Sequence, residues 1–350
     1  MEPDIALPRY VPEQIAVYRT DHLLTQAVCA FDPARAATTL QGTHEVMAID
    51  LGGDKIRRAT YTIRDGVLTR ADEEVLRATG GAGYLPFLER LAAEAAARDL
   101  PVGISSATKL EGSVITRTVN LPVFFAELGE KYDADYANLF GARAFVANDT
   151  IMGICGASTL LALRGERADH VAFFICGSGL GASVIHDGTA IHVEAAHVPL
   201  MAPLNPLGQA TPCGVPGKDY VCVERVAAGR AGIEDLYRRQ TGEAKDGVAL
   251  GTLYERGDAL ATTLYETSTL ALAHATTGVM ERYAFPEGEE SVVVYHGGTF
   301  ELARYRDALC RRLDDMPRAR PRVVFARDLS ANICLDGAAI TALSTARPRA

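Results

Sequence analysis

Charged residues and glycines crowd the end of one apolar strand in MAIDLGGDKIRR, where Asp50, Gly52, Gly53, Asp54 and Lys55 follow one another closely. A hairpin that only has to turn can do so with two residues such as Asn-Gly. This turn places backbone amides, a cation and two carboxylates together, a set that suits a phosphate and a metal ion. A tight turn capped by solvated charges stays open as the structural alternative. A second glycine turn, Gly177-Ser178-Gly179 in CGSGLG, comes about 125 residues later. Glycine has no Cβ, so its amide approaches a phosphate closely, and successive amides form an anion-binding concavity. A close-packed hairpin would carry the same glycines. Neither turn is a dinucleotide fingerprint, and Gly217-Lys218 is no P-loop, because Asp219 follows where Ser or Thr is required. Asp149 in VANDT marks the change from an apolar strand to a helix. There it either caps the helix with Thr150 in support, or takes the proton of a substrate hydroxyl as general base.

These residues need elements to position them. The pattern predicts a strand from Val46 to Asp50, a second from Ile56 to Ile63, the Asp65-Gly66 turn and a third strand over Val67 to Arg70. Phe87, Leu88, Leu91 and Ala95 give helical spacing over Leu85 to Arg98. Pro101 to Ser106 and Ala142 to Asp149 read as strands, and IMGICGASTLLAL as a buried helix. The second half repeats the plan. Val171 to Ile191 is strand, glycine turn, strand, Asp-Gly turn, strand, followed by helical stretches from Val223 to Ala284. Strand SVVVYHGG, helix ELARYRDALCRRL, strand RVVFA and helix DGAAITALSTA complete the chain. Such halves imply two α/β domains with both glycine turns facing an interdomain cleft. The expected boundaries are an extension over 1–44 with one or two short helices, a small domain over 45–150 and a large domain over 151–335. The helix at 336–346 is expected to pack back on the small domain.

Composition narrows the function classes. The chain has 350 residues, 48% hydrophobic and 23% charged, enough for a real core, and its length favours two domains. A net charge of −9 argues against nucleic acid or an anionic membrane as partner. No apolar run approaches the roughly 18–20 residues of a membrane span. The start MEPDIALPRYVPEQ is acidic and proline-broken, unlike a secretory signal. Seven scattered cysteines argue against a disulfide framework, so a cytoplasmic protein is expected. His192 reads equally as a hairpin surface residue or a ligand.

Taken in order, IDLGGDKI, GISSATKLEG…TVNLPVF, VANDT, GSGLGASVIHDG, VEAAH, PCGVPGKDYVCVE and VVVYHGG resemble the ROK family of sugar kinases and repressors, within the hexokinase–actin superfamily. The resemblance is collinear from about Val46 to Ala342. It implies a two-domain actin/hexokinase-like (ribonuclease H-like) fold and an ATP-dependent, Mg²⁺-requiring kinase. The acceptor would be a hydroxyl, by preference primary, of a hexose or related sugar, or of a sugar-like cyclitol. It also implies a homodimer. Asp50, Gly52, Gly53, Asp54 and Lys55 match the first phosphate loop, with Asp50 near the magnesium. Gly177, Ser178 and Gly179 match the second loop, and Gly297 and Gly298 the nucleotide-binding turn. Asp149 falls on the catalytic aspartate. Asn120, Asn148, Glu194, His197 and Glu224 fall on positions that hold the sugar.

The chain departs from that family in three places. Asp54 stands where threonine is usual, and Ala195-Ala196 where a glycine precedes the histidine. The cysteine motif keeps only Cys213 and Cys222, with Val215 at the second cysteine's place. With His197 these supply three of the four ligands of a structural zinc. The expectation is well under one zinc per chain, with Asp219 as the candidate replacement ligand. A regulator would need a basic DNA-binding segment. Met1 to His44 instead carries five acidic residues against three arginines. A catalytically inactive sugar-binding protein is the other alternative.

Overall fold

Val46, Met47, Ala48, Ile49 and Leu51 are all fully buried, so the strand Thr43–Leu51 is covered on both faces and sits inside a sheet. The computed structural model describes residues 25–118, 121–200, 210–215, 218–288, 290–316 and 320–344. The described chain divides into two units, one built from Ala27–Asp169, Asp187–His192 and the residues from Ala326 on, the other from His170–His186 and Val193–Phe325.

In the first unit, five strands stand in the order Val67–Arg77, Lys55–Arg64, Thr43–Leu51, Val102–Ser106, Ala144–Asn148. The first three are antiparallel and the last two add in parallel. One core joins Met47, Ile49, Leu51 and Ile104 to Leu88 and Leu91 of the helix Tyr84–Ala97 and Phe124 of the helix Pro122–Tyr132. Phe87, which belongs to the same helical spacing, is only partly buried against that core, and the Arg90 guanidinium lies over its ring.

The helices Asp149–Leu163 and Ile333–Ser344 pack against each other in this unit. A Cβ on Gly337 would meet the Met152 carbonyl oxygen at 1.7 Å, so only glycine lets these backbones approach so closely. Asp336 anchors the C-terminal helix. Its carboxylate accepts from Tyr61 Oη at 2.5 Å, from Arg70 Nη2 at 2.8 Å and from the Ser330 hydroxyl.

Several expectations need correction. Residues 25–44 form the strand Thr25–Ala30 as well as the helix Pro33–Thr39, which Asp32 caps by accepting from Ala34 N at 2.9 Å. The strand escapes sequence reading because it is short and its neighbour, Thr189–Val193, is far away in the chain. The rest of the extension, 1–24, lies outside the described residues, as do 345–346. The third strand continues to Arg77, paired with Lys55. The strand before Asp149 ends at Asn148, and Asp149 already belongs to the helix.

In the second unit, Leu180–His186, His170–Cys176, Ser291–His296 and Arg322–Phe325 are successive strands. The first pair is antiparallel and the others parallel. The stretch expected to be helical breaks into Glu224–Ala227, a π-helical turn Gly229–Glu234, Asp235–Thr241, Gly247–Glu255 and the long, mostly buried Ala259–Arg282. Among the described residues, no helix is long and apolar enough to cross a membrane.

Candidate active site

The two glycine turns are built alike. The first separates strands ending at Leu51 and starting at Lys55, and Gly52 N donates to Lys55 O at 2.9 Å. The second separates strands ending at Cys176 and starting at Leu180, and Gly177 N donates to Gly179 O at 2.9 Å. Both are closed by one backbone bond.

In the first unit, Asp50 is the last residue but one of its strand, with its Oδ1 accepting from Ser105 Oγ at 2.8 Å and with Arg57 as its cross-strand neighbour. Burial lowers the Lys55 pKa, Arg57 and Arg77 lower it further, and Asp50 and Asp54 oppose them. A lysine among cations gains most when an anion binds. Gly53 and Asp54 complete the turn, which Tyr84 steadies by donating to Gly52 O at 3.4 Å. Burial raises the Tyr84 pKa to about 12, and the Asp54 carboxylate adds to the rise. Sequence reasoning missed Arg57, on the strand that leaves the turn, and Arg77, which ends the next strand opposite Lys55.

Asp149 opens its helix, and its Oδ1 accepts from Thr150 N at 2.9 Å. A helix N-terminus favours a carboxylate, yet burial and the Asp50 charge together push the Asp149 pKa up to about 6, with His192 opposing. The cap is Asn148, not Asp149. Asn148 Oδ1 accepts from Thr150 N at 3.0 Å and from Thr150 Oγ1 at 2.8 Å, and its Nδ2 donates to Thr108 O at 3.2 Å. Thr150 spends its hydroxyl hydrogen on Asn148, so His192 Nδ1, 3.1 Å from that oxygen, is the donor of the pair. His192 therefore belongs beside Asp149. The buried Cys334 thiol lies near enough to Asp50, Asp149 and Asp336 for their charges to add to the rise that burial causes in its pKa. Asn120 lies outside the described residues.

In the second unit, the amides of Ser178 and Gly179 have no acceptor among the described residues. Gly297 lies against the strand end that enters this turn, while the space beside Gly298 is open. A Cβ on Gly297, whose φ is +129°, would meet the Cys176 carbonyl oxygen at 1.9 Å. Glu194, His197, Cys213, Cys222 and Glu224 come together nearby. His197 Nε2 lies 3.8 Å from Glu194 Oε2, and His197 Nδ1 lies 3.9 Å from Glu224 Oε2. The donor atoms of His197, Cys213 and Cys222 all lie within 4.8 Å of one another, and Cys213 Sγ is 3.5 Å from His197 Nδ1. That last spacing matches the edge of a zinc tetrahedron, about 3.5 Å for bonds of about 2.3 and 2.0 Å. Three corners of a zinc site thus fit. Asp219 is exposed and does not join the converging donors, which corrects its candidacy as replacement ligand. Burial, with the neighbouring Cys213, pushes the Cys222 thiol up to about 12.

The model of the ROK family matches residues 46–343. The chain belongs to the ROK family. Its fold is shared with the ROK hexokinase from Thermus thermophilus, 25% identical over 85% of this chain and 97% of that one, with a TM-score of 0.62. A ROK family glucokinase from Streptomyces griseus, solved with glucose and AMPPNP, is 17% identical over 84% of this chain and 98% of that one, TM-score 0.57. A ROK family transcriptional regulator, a homolog of the E. coli MLC protein, is also 17% identical, over 86% of this chain and 78% of that one, TM-score 0.58. A comparison with curated proteins finds no match. ROK membership supports a sugar-kinase-like α/β protein, while the fold also serves regulators.

Proposed function

We propose that this protein is an ATP-dependent kinase that phosphorylates a hydroxyl of a hexose or related sugar, with Asp149 as general base. The observation that carries this reading is the setting of Asp149. It is a carboxylate raised to about 6, next to Asp50 and one residue from the Thr150–His192 pair. A base of that pKa is ionised at neutral pH yet more basic than an ordinary aspartate, which favours taking a hydroxyl proton. A mere helix cap gains nothing from being raised.

Phosphoryl transfer leaves a protein mostly positioning and charge stabilisation. Asp149 would accept the acceptor hydroxyl's proton as the oxygen attacks the γ-phosphorus of ATP. Lys55 and the amides of the Gly52-Gly53 and Gly177-Ser178-Gly179 turns would hold phosphate oxygens, and Gly297-Gly298 would take the nucleoside side. Mg²⁺, held near Asp50, would supply neutralisation of the phosphate charge. Glu194, His197 and Glu224 would bind sugar hydroxyls, since carboxylates and imidazole offer paired acceptors and donors. Zinc would have a structural place among His197, Cys213 and Cys222.

The net charge of −9 and the base at Asp149 support a kinase over a regulator. An ADP-release screen over hexoses, amino sugars, N-acylated sugars and cyclitols tests the reading. Acceptor-dependent ADP formation, abolished in Asp149→Asn, is the expected result. ADP release indifferent to every acceptor, or DNA retention at low salt without turnover, would overturn it.

A further inference from the structure

We infer that the segment Glu224 to Ala231 clamps the second glycine turn from behind, with Glu224 as the positioning residue that ties this turn to the His197–Cys213–Cys222 cluster. The inference rests on the proposed reading for what the turn binds, but its geometry is independent of any ligand.

Four contacts join one segment to one turn. Glu224 Oε1 accepts from Leu180 N at 3.3 Å. Gly229 N donates to Gly177 O at 2.9 Å, and Ala231 N donates to Ser178 O at 3.0 Å. Cys176 Sγ donates to Ala227 O at 3.2 Å. The local fold explains how the segment supplies donors. The helix Glu224–Ala227 stops at Ala228, whose backbone is extended, and the π-helical turn starts at Gly229. The first amides of a helical turn have no partner within it. Here two of them point into the carbonyls of the glycine turn.

With those carbonyls occupied from behind, the Ser178 and Gly179 amides have no acceptor among the described residues, which is what an anion needs. The fit is close. A Cβ on Gly179 would meet Glu224 Oε1 at 2.8 Å, and one on Gly229 would meet Gly177 O at 2.8 Å. The other oxygen of the Glu224 carboxylate faces His197 Nδ1 at 3.9 Å. One side chain therefore spans the turn and the cluster, so a change at the cluster reaches the turn without passing through a nucleotide.

Glu224→Gln keeps an oxygen that accepts from Leu180 N and loses only the charge, whereas Glu224→Ala loses both. Hydrogen exchange across 176–181 in the ligand-free protein and calorimetric binding of Mg²⁺–AMPPNP test the clamp together. The expected result is exchange about tenfold faster and AMPPNP binding about tenfold weaker in Glu224→Ala, the loss of a charge-assisted hydrogen bond, with Glu224→Gln near wild type in both. Gly229→Ala should loosen the turn in the same two readouts. Unchanged exchange in Glu224→Ala overturns the clamp, and, where wild type binds AMPPNP, so does faster exchange with an unchanged AMPPNP affinity. A wild-type protein that binds no AMPPNP, while the exchange difference holds, refutes the proposed function and leaves the clamp standing.

Discussion

His192 Nδ1 lies 3.1 Å from Thr150 Oγ1, and Thr150 directly follows Asp149 in the first turn of its helix. The contact brings the end of a hairpin to the carboxylate that the proposed mechanism needs. Asp50 raises the Asp149 pKa and His192 lowers it, so these two neighbours set it against the background of burial.

A pH profile follows from that balance. As a base, Asp149 must be ionised, so kcat/KM should be flat above about pH 6 and fall about tenfold per pH unit below it. Replacing His192 by Ala removes the influence that holds the pKa down, so the break should move to higher pH. A pH–rate series on both proteins checks this. A break near the ordinary aspartate value of about 4 would count against Asp149 as the base.

Asp149→Asn should lower kcat by about 10²–10⁴-fold while leaving sugar binding within a few-fold. It should also stabilise the protein at neutral pH. The folded pKa of Asp149 is above its unfolded value, so the native state holds its proton more tightly between about pH 4 and pH 6. Its contribution to stability is therefore complete below about pH 4 and lost as pH rises through 6. Asn removes that loss, for a gain of about 1–2 kcal/mol at pH 7, since the site is only partly buried. Chemical denaturation at pH 7 and pH 4 would show a gain at the first pH only.

Lys55→Ala should weaken nucleotide binding about tenfold, because a cation is removed where phosphate charge gathers. Asp54→Thr should keep or raise activity. A collapse with altered Mg²⁺ dependence would place Asp54 in the metal site.

Asp336→Ala should cost about 3 kcal/mol of stability, since it leaves the Tyr61 hydroxyl without its acceptor and the half-buried Arg70 guanidinium without its counter-charge, with only Ser330 Oγ and Asn332 O still accepting from it. Tyr61→Phe removes one hydrogen bond and should cost about 1 kcal/mol. Thermal melting of the two variants distinguishes them.

Protein purified without chelator should contain well under one zinc per chain. His197, Cys213 and Cys222 converge, but three ligands leave an open corner and a weaker site. Metal analysis showing a full equivalent, lost with the fold on chelation, would establish a structural zinc instead.

Much of this protein is legible in one dimension. The strands around both glycine turns, the helix Tyr84–Ala97 and the buried helix after Asp149 follow from apolar period and turn residues, because each pattern is local. The order of the motifs was enough to suggest ROK membership, since loops that bind phosphate need particular residues at particular spacings. Other features depend on residues distant in sequence. Asn148 caps the helix because its amide also reaches Thr108, some forty residues away. His192 meets Thr150 only because a strand returns from another part of the chain. The Asp149 pKa depends on burial and on Asp50, neither of which a sequence displays. Hydrogen bonds and charges act through a few ångströms of space, whatever the separation along the chain. Tertiary structure therefore decided which polar residues share a site, while the sequence alone determined which elements could form and which loops could hold an anion.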